Sequence, residues 1–487
     1  MLREPSPHQH QLEMVTLEEL VPSDHLLRHI DATLDFSFIR DKVRHLYCAD
    51  NGRPALDPVM LFKALFIGYL FGVRSERQLM REIQVNVAYR WFLGLSLTDK
   101  VPDASTISQN RRRRFSDNTI HQEIFDTVVE QAIVQGLVGG EVLYTDSTHL
   151  KANANKTRFV REQVQRSTAG YLDALDDAVE EDRAKHGKKH TPRAAVTETV
   201  EKKISTTDPD SGYMVRDGKP TGFFYLDHRT VDGRCAIITD TYVTPANVAD
   251  STPYLARLDH QCQRFDLAPL AVGLDAGYFT AALCQGIEER DLYGVIGYRR
   301  PNKREGYLPK RAFVYEAEQD AYLCPERHGL IYATTDRHGY RHYRSDPAIC
   351  RHCPRLTSCT RSANHTKLVT RHVWEDAKER IESHRLSDYG RGLYKRRKET
   401  VERSFADAKQ LHGHRYARMR GLARVREQCL LAAACQNLKK MALARMRRLF
   451  SSIFGAWSVV QRRCEALMSA MTVIYRFPGY LHAKWVV

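Results

Sequence analysis

The stretch EVLYTDSTHLKA, residues 141–152, decides how this chain is read. Val142, Leu143 and Tyr144 open a strand-like run that ends at Asp146 and gives way to small and polar residues. Four similar runs follow: GFFYLDHRTVD (222–232), CAIITDTYVTPAN (235–247), LAVGLDAGYFT (270–280) and LYGVIGYRR (292–300). The first three runs predict consecutive antiparallel strands. The last two are separated by FTAALCQGIEERD (279–291), long enough for a helix, which predicts a βαβ crossover. The sum is a mixed α/β sheet, in which Asp275, at the end of the AVGL run, repeats the setting of Asp146.

On the N-terminal side, residues 1 to about 135 read as an all-α domain. Its segments are VMLFKALFIGYLFG (59–72), SERQLMREIQVNVAYRWFLGL (75–95) and PDASTISQNRRRRF (102–115). Asp103 or Ser105 can cap the last of these, which leads into Arg111 to Arg114, a basic run suited to DNA. On the C-terminal side, KRRKETVERSFADAKQLHG (395–413) reads as a helix with Val401, Phe405 and Ala408 on one face. Glu402 and Lys409 lie two turns apart along one side of it. A second apolar helix, residues 421–448, can pack beneath it. The α/β unit then spans about 140–450, with insertions at about 156–205 and 300–365. The tail 451–487 has no assigned role.

The formal charge of +15 favours a polyanionic partner. Its distribution says more than its total. Residues 391–450 hold 17 Lys and Arg against Glu399, Glu402, Asp407 and Glu427, a balance of +13 that leaves +2 for the rest of the chain. The positive field is therefore centred on one carboxylate, Glu402. No signal-peptide pattern opens the chain, and residues 59–72 contain Lys63 and fall short of the roughly 20 apolar residues of a membrane span, so the expectation is a cytoplasmic protein without a membrane partner.

An isolated aspartate after a strand is usually a turn former. Three acids, at two strand ends and on a basic helix, can converge to bind Mg²⁺, which prefers oxygen ligands. Phosphodiester hydrolysis at neutral pH needs an activated water on one side and charge stabilisation of the leaving 3′ oxygen on the other, and two metal ions supply both. Nearby lysines and arginines hold the DNA backbone against the anionic site.

At these residues the sequence resembles a known family. DSTHLKANANK (146–156), TTDPDSGYMVRDG (206–218), VTPANVAD (243–250), VGLDAGYFT (272–280) and residues 394–441 are similar to signatures of DDE transposases from bacterial insertion sequences. The resemblance covers most of the chain, including the helical N-terminus. It implies an RNase H-like fold, dependence on Mg²⁺ or Mn²⁺, and cleavage at transposon ends followed by strand transfer into target DNA. Its partners would be double-stranded terminal inverted repeats and target DNA, with a dimer in the synaptic complex. Carried over residue by residue, Asp146, Asp275 and Glu402 are the catalytic, metal-holding acids, and Lys409 matches the lysine seven positions after the glutamate. The family's Tyr and Arg, seven and four residues before the glutamate, fall here on Lys395 and Lys398. Tyr394 and Arg397 stand one residue early. Lys151, Arg397, Arg403, Lys409, Arg415 and Arg420 are expected to contact DNA.

Cys324, Cys350, Cys353 and Cys359 form C-x25-C-x2-C-x5-C inside the second insertion. Structural zinc and ordinary reduced cysteines are both open for this set, with His328 and His352 as substitute ligands. Two other readings of the chain stay alongside an active transposase: a repurposed DNA-binding protein without catalysis, and a structure-selective nuclease of the same fold.

Overall fold

The computed structural model describes residues 12–48, 55–115, 119–165, 172–190, 199–215, 218, 220–298 and 305–474, with side chains of the last helix described as far as Arg448. The strand-like runs fold as strands. β1 (Val142–Lys151) is followed by a ribbon of β2 (Phe159–Gln165) and β3 (Thr199–Ser205) and by the short β4 (Gly212–Met214). Then come β5 (Gly222–Asp232), β6 (Ile238–Pro245), β7 (Ala271–Leu274) and β8 (Tyr293–Ile296). β1 pairs antiparallel with β5, and β5 antiparallel with β6, while β7 runs parallel to β1 and β8 parallel to β7. The order β6-β5-β1-β7-β8, with three antiparallel strands followed by two parallel ones, is that of an RNase H-like sheet. The helix Ala281–Glu288 provides the expected crossover between β7 and β8.

One apolar core binds the helical region to the sheet. Leu27, Phe62, Phe66 and Phe125 from the N-terminal helices pack with Tyr144, Val231 and Ile238 of the sheet and with Val401 and Phe405. The helix Leu422–Ile474 fills the space between, burying Leu430 to Cys435, Leu438 and Met441. The boundary read near residue 135 thus falls within a continuous core. The helix also runs through residue 451, where the sequence suggested that a tail begins, and residues 475–487 lie outside the described part. No helix among the described residues is long and apolar enough to cross a membrane.

The two insertions are built differently. The first holds the β2–β3 ribbon and the helix Leu172–Lys185. The second is a five-stranded antiparallel sheet of β9 (Val314–Glu316), β10 (Ala321–Leu323), β11 (Gly329–Thr335), β12 (Tyr340–Ser345) and β13 (Leu368–His372), reaching past residue 365. Tyrosines carry much of its core: Tyr322 and Tyr343 pack with Phe313, Leu330 and Val369. The insertions dock on each other. Buried Asp182 accepts from Arg341 and Thr335, and His186 stacks on Tyr332 at 3.7 Å.

Candidate active site

A register brings the two aspartates together. In the parallel pair of β1 and β7, Thr145 stands opposite Leu274, so the next residues, Asp146 and Asp275, emerge side by side where β7 stops. Asp275 lies at a strand end as expected. Asp146 does not: β1 continues to Lys151 because β5 pairs with it throughout, and only the β7 side is open at this level. Asp146 is therefore held more rigidly than a loop residue, with one flank free.

Arg397 lies between these acids. Its guanidinium is almost fully buried, donates to Asp146 Oδ2 at 2.8 Å and pairs with Asp275 at 3.5 Å. It also donates to the Tyr394 hydroxyl at 3.3 Å, which lies against Gly297 just beyond β8, where a Cβ would clash with it. Tyr394 and Arg397 thus reach the site despite standing one residue early. The helix predicted over 395–413 is broken: one helix ends at Arg396, and the next runs Val401–Leu411. The Glu402 amide donates across a wide turn to the Arg397 carbonyl at 3.1 Å, and this turn takes up the extra residue.

Burial pushes the Asp146 carboxyl up to about 6, against the pull of Arg397 and the Ser147 amide; Asp275 and Asp250 push it further upward. Asp250 is a site residue that the sequence reading quoted within VTPANVAD without giving it a role. It accepts from Ser147 Oγ at 2.8 Å, while the Ser147 amide donates to Asp146 Oδ1 at 2.8 Å. One oxygen of Asp146 is thereby oriented by its neighbour, and the other faces Arg397.

Glu402 is exposed on the first turn of its helix, which packs on β1 and β5 through Val401, Ser404, Phe405 and Ala408. Among the described residues, the one set of three or more His, Cys, Asp or Glu whose ligand atoms all lie within 4.8 Å of one another is Asp227, His414 and Cys429. The three acids and the four cysteines are not drawn that close. Burial raises the Cys359 thiol against the pull of Lys367, and Cys350, Cys353 and Cys324 lie near enough to raise it further. The His328 amide donates to Cys324 Sγ at 3.3 Å.

Of the six residues expected to contact DNA, Arg397 is instead buried against Asp146 and Asp275, and the other five divide into two groups. The chain after His414 runs along the end of β1, with the Lys151 amide donating to the Arg415 carbonyl and Ala417 donating back to Lys151. This places Lys151, Arg415 and Arg420 on one exposed edge, where Arg420 also donates to the Asn153 carbonyl. Arg403 is exposed and pairs with Asp407, while Lys409 is half-buried. Other cations of the +13 stretch serve the fold: Arg396 and Lys440 donate to the carbonyls of Gly233 and Ala236, and Arg418 lies over Tyr69 at 4.0 Å. The Arg111–Arg114 run is likewise partly internal, since Arg111 pairs with Glu76 and Arg114 lies over Tyr47 at 4.3 Å.

Residues 15–113 match a family described as "Transposase domain (DUF772)", and residues 323–442 match one described as "Transposase DDE domain". No curated protein matched the sequence. Among solved structures, the chain is similar to piggyBac transposase in a synaptic complex with hairpin DNA, at 10% identity and a TM-score of 0.30, covering 96% of this chain and 86% of that one. It is also similar to Mos1 transposase in a paired-end complex with the left transposon end, at 10% identity and a TM-score of 0.16, covering 52% and 62% of the two chains. The N-terminal helices are thus similar to one transposase domain, and the segment running through Glu402 is similar to a transposase DDE domain.

Proposed function

We propose that this chain is a DDE transposase that cleaves DNA at the ends of its element and joins the freed 3′ ends to target DNA, with Asp146, Asp275 and Glu402 holding Mg²⁺ or Mn²⁺. The observation that carries this reading is the register that sets Asp146 and Asp275 side by side where β7 stops. Oxygen donors around a desolvated anionic centre suit a hard divalent ion. When bound, such ions activate the attacking water and stabilise the leaving 3′ oxygen. The chain's own contribution is positional. Asp250 holds Ser147, and the Ser147 amide holds Asp146, so this carboxylate presents a fixed oxygen to the site. Lys151, Arg415 and Arg420 line the edge along which a phosphate backbone can run, while Arg403 and Lys409 share the Glu402 helix.

Two copies of the chain would hold the two ends during synapsis. We also propose a structural zinc ion on Cys324, Cys350, Cys353 and Cys359, whose thiols would have to draw closer together than they stand here to bind it. Metal analysis of the purified chain should find one zinc per copy, lost in Cys353→Ser.

The test of the function is direct. Purified protein is incubated with Mg²⁺ and a duplex carrying the sequences that flank its gene. The parent should nick at the element boundary and join strands, whereas Asp146→Ala, Asp275→Ala and Glu402→Ala should bind the duplex without cutting it. Cleavage retained in any of the three would remove that acid from the site, and cleavage of any duplex regardless of ends would favour a general nuclease.

A further inference from the structure

We infer that a buried network of Asp227, Arg229 and His414 clamps the helix Val401–Leu411 to β5 and so sets where Glu402 stands relative to Asp146. This rests on the reading of Glu402 as a metal ligand. Arg229 is the cross-strand partner of Asp146, directly opposite it in the β1–β5 pair. Its side chain is fully buried and pairs with Asp227 at 2.8 Å. From there it reaches the Glu402 helix, donating to Ser404 Oγ at 3.3 Å and lying over the Phe405 ring at 4.9 Å. With its amide turned so that the oxygen faces Arg229, Gln436 accepts from the guanidinium at 2.9 Å and donates to Ser404. Asp227 also accepts from Thr241 at 2.7 Å and from His414 Nε2 at 2.8 Å. The network thus grips the helix on its first turn and again just beyond its end.

Burying an ion pair seldom adds stability over apolar packing of the same volume, and its best-supported use is to specify one arrangement. Here the arrangement is that of Glu402, two residues before Ser404 on the exposed side of the same turn. The competing use of these groups is a metal site, because the ligand atoms of Asp227, His414 and Cys429 lie within 4.8 Å of one another. The geometry opposes it. Arg229 lies against the same carboxylate oxygen that His414 bonds, so an entering cation would meet a fixed positive charge. Burial also keeps the Cys429 thiol protonated.

The test uses the full chain in three forms: Ser404→Ala, which removes one bond and leaves the ion pair; Arg229→Met; and the charge-free pair Asp227→Asn with Arg229→Met. Hydrogen exchange at amides 402–411 should rise at least tenfold over the parent in each folded variant, with β1 and β7 amides unchanged. Mn²⁺ binding measured by calorimetry should weaken about tenfold. Parent-like exchange and parent-like Mn²⁺ affinity in Ser404→Ala and the charge-free pair would overturn the clamp, as would Mn²⁺ binding that survives Asp146→Ala but is lost in His414→Ala. Glu402→Gln separates the two claims. If it leaves Mn²⁺ affinity unchanged, the ligand reading of Glu402 fails, and the exchange rates still decide the clamp.

Discussion

Asp146 and Asp275 are 129 positions apart and become neighbours because β7 ends one residue before Asp275. Sequence could suggest both acids from their strand-like settings. It could not reveal that Asp146 sits inside a strand, because the partner that extends β1 beyond it is β5, some 80 residues away. Arg397 was legible only as one cation in a basic run, since a position count placed it one residue out of pattern; the wide turn before Glu402 restores it in space. Asp250 gave no signal beyond its motif, because its role passes through the Ser147 hydroxyl. A prediction belongs to Arg397. On the proposed function, Arg397→Ala, which removes the cation that positions Asp146 and Asp275, should slow single-turnover end cleavage by about 10²-fold, the scale for a misplaced reacting group, with little change in duplex affinity. An unchanged rate would assign Arg397 to folding alone.

At the level of elements, the strand runs and the crossover helix were readable because β-rich composition and helix length are local signals, whereas the pairing of β1 with β7 was not. The break between Arg396 and Val401 was not, since Lys398, Glu399 and Thr400 do not forbid a helix. The helix Ile120–Val134 carries a prediction of its own. His121 is buried against the edge of Phe62 at 5.9 Å, and burial pushes its imidazole down to about 4. The unfolded chain takes up this proton below about 6.5, while the folded chain resists it until about 4. Stability from His121 is therefore complete above 6.5 and falls as pH drops from 6.5 to 4, by up to about 3 kcal/mol. Thermal unfolding across this range should show the fall, and His121→Leu should flatten it. An identical slope in the variant would place the acid sensitivity elsewhere, for example at His414, which burial also lowers.

Across the whole molecule, the change from helices to strands near residue 135 was legible in the chain order, but the packing runs across it. Residues from both sides of position 135 share a core completed by Leu430 to Met441, and no local pattern announces which distant helix a face will meet. Charge shows the same limit. The +13 stretch is real, yet several of its cations are bonded to the chain's own carbonyls or carboxylates. The salt dependence of DNA binding should therefore reflect the exposed edge rather than the formal count. Arg415→Ala and Arg420→Ala should each lower the slope of log K against log salt by about 1, read from fluorescence titrations at several salt concentrations. A slope that neither substitution alters would mean that this edge faces away from DNA.

The central claim is that three acids from distant parts of the chain form one metal site. Anomalous diffraction from crystals of the protein bound to an end duplex and soaked in Mn²⁺ tests it most directly. The account predicts manganese peaks bound by Asp146 and Asp275, with Glu402 completing the site and two ions about 3.5–4 Å apart. Density confined to Asp227, His414 and Cys429, or none beside Asp146, would contradict it.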